Sequence, residues 1–209
     1  MKLIKYIFIG MVILSMTLGS FSNIIGQEVI LFSETYKSKE VVEMLDQEDE
    51  YFTLLSQDLV KSEGSMLGTC AEADADAVWS YLHSKEIQKH MPKDLSFAWG
   101  LKSKEGKLSL YALRESPKAA PKQKDLNSVS MQESKREGNY DLLLTFSKEG
   151  ADNWARMTKE NVGRNIAIVL DGKVVAAPMV RQEITQGKCM ISGDFSKTEA
   201  SEMKALLED

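Results

Sequence analysis

From residue 65 onward, apolar and polar positions recur with two periods, and these predict alternating strands and helices. Residues 95–101 and 108–113 alternate with period two around Lys104-Glu105-Gly106, the pattern of a hairpin. Tyr140–Phe146 carries the run Leu142-Leu143-Leu144 and reads as a buried strand; residues 129–134 read as a weaker one. Residues 166–170 and 174–177 flank Asp171-Gly172, a dipeptide that accepts the positive φ angles of a type I′ turn, and Pro178 ends the second strand. A further hairpin is predicted from residues 180–184 and 188–191 across Gln186-Gly187.

Helical spacing fills the intervals. Val78, Trp79 and Leu82 share a face behind Asp74 or Asp76, and Ser84 caps another turn that buries Ile87 before Pro92. Ser147 is placed to cap a helix with Glu149 and Asp152 in its first turn, an inward stripe of Trp154, Met157 and Val162, and Gly163 at its end. Ser196-Lys197-Thr198-Glu199 forms a capping box, and Met203, Leu206 and Leu207 are the packing face of that last helix. The whole predicts an α+β fold, an antiparallel sheet built from hairpins with helices packed on it.

The first 64 residues differ. Lys2 and Lys5 precede an apolar run over residues 6–18 and then small and polar residues, so 1–22 reads as a signal peptide cleaved after Ser22 or, left uncleaved, as an anchor. Either reading implies an exported protein, periplasmic or attached to the outer side of the cytoplasmic membrane, with membrane contact only through that segment. Residues 23–64 are strongly charged and are expected to form a peripheral segment, with a short helix around Val41, Val42 and Leu45. The acidic run at 46–50 lacks the glycine and ligand alternation of a calcium loop and reads as a solvated face. Residues 65–209 form the main domain.

Charge and chemistry narrow the function. The net charge of −5 becomes −7 once Lys2 and Lys5 leave with the leader, which argues against nucleic acid and anionic lipid as partners. The lysine- and proline-rich residues 117–124 read as an exposed loop. Cys70 and Cys189, the only cysteines, permit one disulfide after export and equally two buried free thiols. Neither has zinc-site spacing. His83 and His90 lie near Asp74, Asp76 and Glu86 in sequence but outside any ligand motif, so no metal or cofactor is expected. Asp171 beside Gly172 is a turn residue, and no serine sits in a nucleophile elbow; a catalytic residue is therefore not expected.

The order and spacing of Phe146, Gly150-Ala151, Asn161-Val162-Gly163, residues 167–172, Val174, Ala177-Pro178, Val180, Ile184, Gly187, Ile191, Gly193, Phe195, Glu199-Ala200 and Leu206 resemble the head subdomain of the first periplasmic region of SecD. Leu67-Gly68, residues 91–95 and residues 97–100 resemble the same region in fused SecD-SecF proteins. The resemblance implies a head domain that contacts polypeptide emerging from the Sec translocon, or other export components. In that family the head is hinged on a base subdomain and mounted on a membrane part whose motion is coupled to proton flow. No such membrane helices follow Leu207 in this sequence, so the resemblance is expected to carry over the head and not the motor; the charged segment 23–64 is read as a remnant of the base. An envelope-associated structural or interaction protein that reuses the head fold is the alternative.

Overall fold

The computed structural model describes residues 29–45, 50–56, 64–115 and 120–208. The expected signal segment, most of the acidic run and residues 117–119 of the basic loop lie outside them. In chain order the elements are β1 (Ile30–Thr35), α1 (Ser38–Val42), α2 (Glu50–Thr53), β2 (Met66–Ala71), α3 (Ala75–Leu82), α4 (Lys85–Gln88), β3 (Leu95–Trp99), β4 (Lys107–Arg114), β5 (Leu126–Glu133), β6 (Tyr140–Phe146), α5 (Lys148–Glu160), β7 (Ile166–Leu170), β8 (Lys173–Ala176), β9 (Lys188–Ile191) and α6 (Lys197–Glu208). The fold is α+β, and every ladder between the strands is antiparallel.

Two sheets form. The six-stranded sheet runs β2-β4-β1-β7-β8 with β3 also on β4, and the three-stranded sheet runs β5-β6-β9. The predicted hairpins at β3–β4 and β7–β8 are present, the latter through Asp171 at φ 48° and Gly172 at φ 75°. An additional bridge between Gly100 and Val174, with the Leu101 amide donating to the Val174 carbonyl at 3.3 Å, brings opposite ends of the larger sheet together. On its inner face Ala98, Leu113, Ala167, Val169 and Val174 pack with Tyr111. Gly100 stands where a Cβ would come within 3.0 Å of the Tyr111 ring.

The opposite face of that sheet supports two cores. Ile30, Phe32, Ile166, Ile168 and Leu170 pack with Leu142 and Leu144 of the smaller sheet and with Trp154, Met157, Met203 and Leu207 from α5 and α6. Phe32 stands in this core with its ring centroid 5.7 Å from Phe146 and 5.2 Å from Trp154. Phe97, Leu110 and Ala112 pack instead with Val41, Leu45, Phe52, Leu55, Val78 and Leu82 from the short helices.

Several expectations are corrected. The charged segment is not peripheral at residues 30–35, because β1 lies inside the larger sheet between β4 and β7. Burial of Ile30 and Phe32 on one face and of Ser33 and Thr35 on the other explains the missed strand: its second face is polar yet satisfied, with Thr35 Oγ1 donating to the Asn165 carbonyl at 2.8 Å. Residues 180–184 form no strand. Their backbone is claimed by the end of α5: the Val180 amide donates to the Arg164 carbonyl and the Ile184 amide to Thr158 Oγ1, both hydrogen bonds absent from a two-strand hairpin. Consequently β9 pairs with β6. Val162 and Leu206, assigned to packing faces, are exposed, while Thr158 and Ala200 fill those places. The short helix around Val41 is present, with Val41 and Leu45 buried. No described helix is long and apolar enough to cross a membrane.

Candidate functional site

The residues that carry the family resemblance gather around α5 and the turns beside it. Ser147 Oγ accepts from the Gly150 amide at 3.2 Å, capping the helix as its sequence position implies. Gly150 lies where a Cβ would approach the Asp125 Cβ to 2.7 Å, so only glycine lets the helix start settle on the turn at Gln123–Asp125. Asp125 closes that turn, accepting from the Lys122 amide through its carboxylate and from the Ser147 amide through its carbonyl. The end of the basic loop is thus tied to the core through the buried Pro121 and Asp125, while Lys122 and Lys124 stay exposed.

At the other end of α5, the Asn161 side chain donates to the Met157 carbonyl at 2.9 Å, and Gly163 at φ 80° turns the chain so that its amide reaches the Val180 carbonyl. Gly187, at φ 61°, would put a Cβ 2.7 Å from that of Ala151, and Gly193 would put one 2.3 Å from the Phe195 ring. The Ile166 amide donates to the Pro178 carbonyl just past β8. These positions set turns and close approaches; none presents a polar side chain into a cleft.

Cys70 and Cys189 are free and buried, the first against the short helices and the second beneath α5 and α6, so the disulfide allowed by the sequence is not formed. Burial pushes the Cys70 thiol up to about 11 and the Cys189 thiol up to about 12. The two histidines are separated in role. His83 stacks on Trp79 at 4.3 Å, its Nδ1 lying 2.8 Å from the Trp79 carbonyl, whereas His90 stands at the end of α4 beside a cavity.

That cavity, a groove of about 850 Å³, is lined by Met44, Tyr51, Tyr81 and Ile87 with Ala77, and by the polar Asp76, Ser80, Ser84, Glu86 and His90. Ser84, between α3 and α4, caps α4, its hydroxyl accepting from the Ile87 amide at 3.3 Å. Met44 and Tyr51 remain substantially exposed along the groove, and the Tyr51 and Tyr81 rings lie 6.2 Å apart. Among the described residues no arginine or lysine lines it, so the charged groups on its walls are Asp76 and Glu86, with Lys85 of α4 and Lys89 at its end exposed beside them. No residue pattern in the sequence indicates the groove, since its walls come from separate short helices brought together only by the fold.

A second polar cluster joins β1 to the turn before β3. Tyr36 Oη donates to Asp94 Oδ1 at 2.6 Å, the Arg114 guanidinium lies 4.2 Å over the Tyr36 ring, and Arg114 Nε is 3.5 Å from Asp94 Oδ2. The Tyr36 hydroxyl beside it holds the Asp94 carboxyl below the usual carboxylate range. The arrangement is a clasp that ties the end of β1 to β4 and to the turn before β3.

Several known proteins are similar to this chain. SecDF of Thermus thermophilus is 46% identical over 70 residues, covering 34% of this chain and 10% of that protein. SecD of Acidaminococcus fermentans is 42% identical over 84 residues, 40% of this chain and 20% of that protein. SecD of Rhodothermus marinus is 29% identical over 154 residues, 70% of this chain and 24% of that protein. The chain thus spans no more than about a quarter of the length of these relatives. Among solved structures, one described as a membrane component SecDF that enhances protein export is 22% identical, with 85% of this chain and 92% of that chain covered and a TM-score of 0.42. The model of the SecDF P1 head subdomain matches residues 102–209, more than half of the chain, and the chain belongs to that family.

Proposed function

We propose that this protein is a non-catalytic binding domain of Sec-dependent protein export, acting outside the cytoplasmic membrane by contacting emerging polypeptide or export components. The observation that carries the reading is the family match over residues 102–209. It is supported by the role of the matched residues, which build turns and close helix contacts of a rigid scaffold, as a docking domain requires. The groove beside α3 and α4, with aromatic, aliphatic and polar walls, is a surface that can accommodate such contact.

The test is crosslinking in cells, with photoreactive residues placed at Ser80 and His90 on the groove. Recovery of unfolded clients or Sec components supports the reading, and recovery of neither refutes it. Deletion supplies a second measure: slowed export is expected, and normal export kinetics with altered envelope integrity would favour the structural alternative.

A further inference from the structure

We infer that the groove between α2, α3 and α4 selects extended polypeptide segments in which lysine or arginine stands beside aromatic or aliphatic residues. This rests on the polypeptide-binding reading above and names the class of segment and the residues that would recognise it. The floor supplies the apolar half of the recognition: Tyr81 is buried at 8% exposure, Ile87 is half-buried, and Met44 and Tyr51 expose apolar surface at 39% and 41%. Methionine and tyrosine are suited to varied sequences, because one repacks easily and the other offers a broad face at small entropic cost. The rim supplies the sign. Asp76 on α3 and Glu86 on α4 are both exposed, and among the described residues no lysine or arginine lines the groove, the exposed Lys85 of α4 and Lys89 at its end standing outside its lining. A neutral or anionic segment gains only the apolar contact, whereas a cationic one gains both. The openness of the site to solvent keeps each ion pair modest, so the charge term sets selectivity more than affinity.

The experiment uses the full chain and fluorescein-labelled peptides, read by anisotropy. One peptide alternates lysine with leucine and phenylalanine; a second replaces each lysine with glutamate. The cationic peptide is expected to bind about tenfold more tightly, a difference of about 1.4 kcal/mol, and to lose that margin at high salt. Reversal of both rim charges in Asp76→Lys/Glu86→Lys is expected to remove the preference. A matched control, Glu133→Lys/Glu202→Lys, makes the same change in net charge at exposed positions on β5 and α6 and is expected to leave it intact. Equal effects of the two double variants, or none from the groove variant, would overturn the assignment. So would tighter peptide binding after Lys2→Glu/Lys5→Glu, which would make the chain's own basic, apolar leader the occupant. Crosslinks to emerging chains that persist unchanged in the groove variant would sink this inference and leave the export reading standing; absence of both crosslinks and peptide binding sinks both.

Discussion

Replacing Phe32 with alanine tests whether the segment before residue 65 is part of the domain core. Phe32 is 2% exposed and its ring meets Phe146 edge-on, at an interplanar angle of 72°, and Trp154 at a tilt. Truncating a buried phenylalanine costs about 3–5 kcal/mol through lost transfer free energy and the cavity left behind. The upper part of that range is expected, because two aromatic contacts are lost as well, each worth about 0.5–1.5 kcal/mol beyond area burial. With a urea dependence of about 2 kcal/mol/M, a loss of about 4 kcal/mol moves the unfolding midpoint down by about 2 M. Leu31→Ala, one residue away but 47% exposed on the other face of the strand, is the control and should change stability by no more than about 0.5 kcal/mol. Urea titrations followed by far-UV circular dichroism and tryptophan fluorescence measure both. A loss below about 1 kcal/mol for Phe32→Ala would show that β1 is not packed against α5, and the account of the larger sheet would fail.

Other substitutions probe other contacts. Gly193→Ala places a methyl group 2.3 Å from the buried Phe195 ring and is expected to cost about 1–3 kcal/mol, measured by the same titration; an unchanged midpoint would contradict the tight turn before α6. Native protein at pH 8 should react slowly with Ellman's reagent at both cysteines, since thiols raised to about 11 and about 12 leave roughly a thousandth and a ten-thousandth as thiolate, and unfolding should release two fast thiols. Tyr36→Phe removes the hydroxyl that donates to Asp94, so the Asp94 carboxyl should titrate closer to the ordinary value in a carbon-detected NMR pH series. The sign of the linked effect is fixed by the depression: Asp94 stabilises the fold above its unfolded pKa of about 4, and that contribution fades as pH falls through the lower folded value. Tyr36→Phe should therefore flatten the acid limb of the stability profile.

Elements whose specification is local were legible in the sequence. The β7–β8 hairpin is announced by Asp171-Gly172, which requires only that two adjacent residues accept positive φ, and α5 by Ser147 and its stripe through Trp154 and Met157. The capping box at Ser196 appears as expected, Glu199 Oε2 accepting from the Ser196 amide at 2.8 Å. What escaped depends on partners distant in the chain. Strand β1 reads Ile-Leu-Phe-Ser-Glu-Thr, three apolar residues followed by three polar ones, which lacks the period-two signal, and only partners far along the chain bury and satisfy its polar half, Ser33 Oγ donating to the Arg114 carbonyl and Thr35 Oγ1 to that of Asn165. Residues 180–184 carry a strand pattern, but Thr158 and Arg164 capture their hydrogen bonds first. Val162 would lie on the stripe only if the helix continued, but α5 ends at Glu160 with Asn161 as its cap, and Val162 beyond it turns outward.

The same distinction separates identity from activity. The matched span, 102–209, contains α5, α6 and the smaller sheet, where glycines meet neighbouring atoms closely enough that a methyl group would not fit. Such positions constrain sequence strongly, because each substitution is felt through packing at near-crystalline density. Groove residues come from 44–90, where Asp76, Ser80, Glu86 and His90 are exposed and touch nothing that demands one residue type. Strand β4 links the two regions, since Leu110 and Ala112 face the short helices while Leu113 and Tyr111 face the inside of the larger sheet. Charge reversal at Asp76 and Glu86 should therefore leave the unfolding midpoint within about 0.5 kcal/mol of the parent while changing peptide preference. A large loss of stability in that variant, seen in the urea titration, would mean that the groove rim is structural and that its carboxylates are there for the fold and not for a ligand.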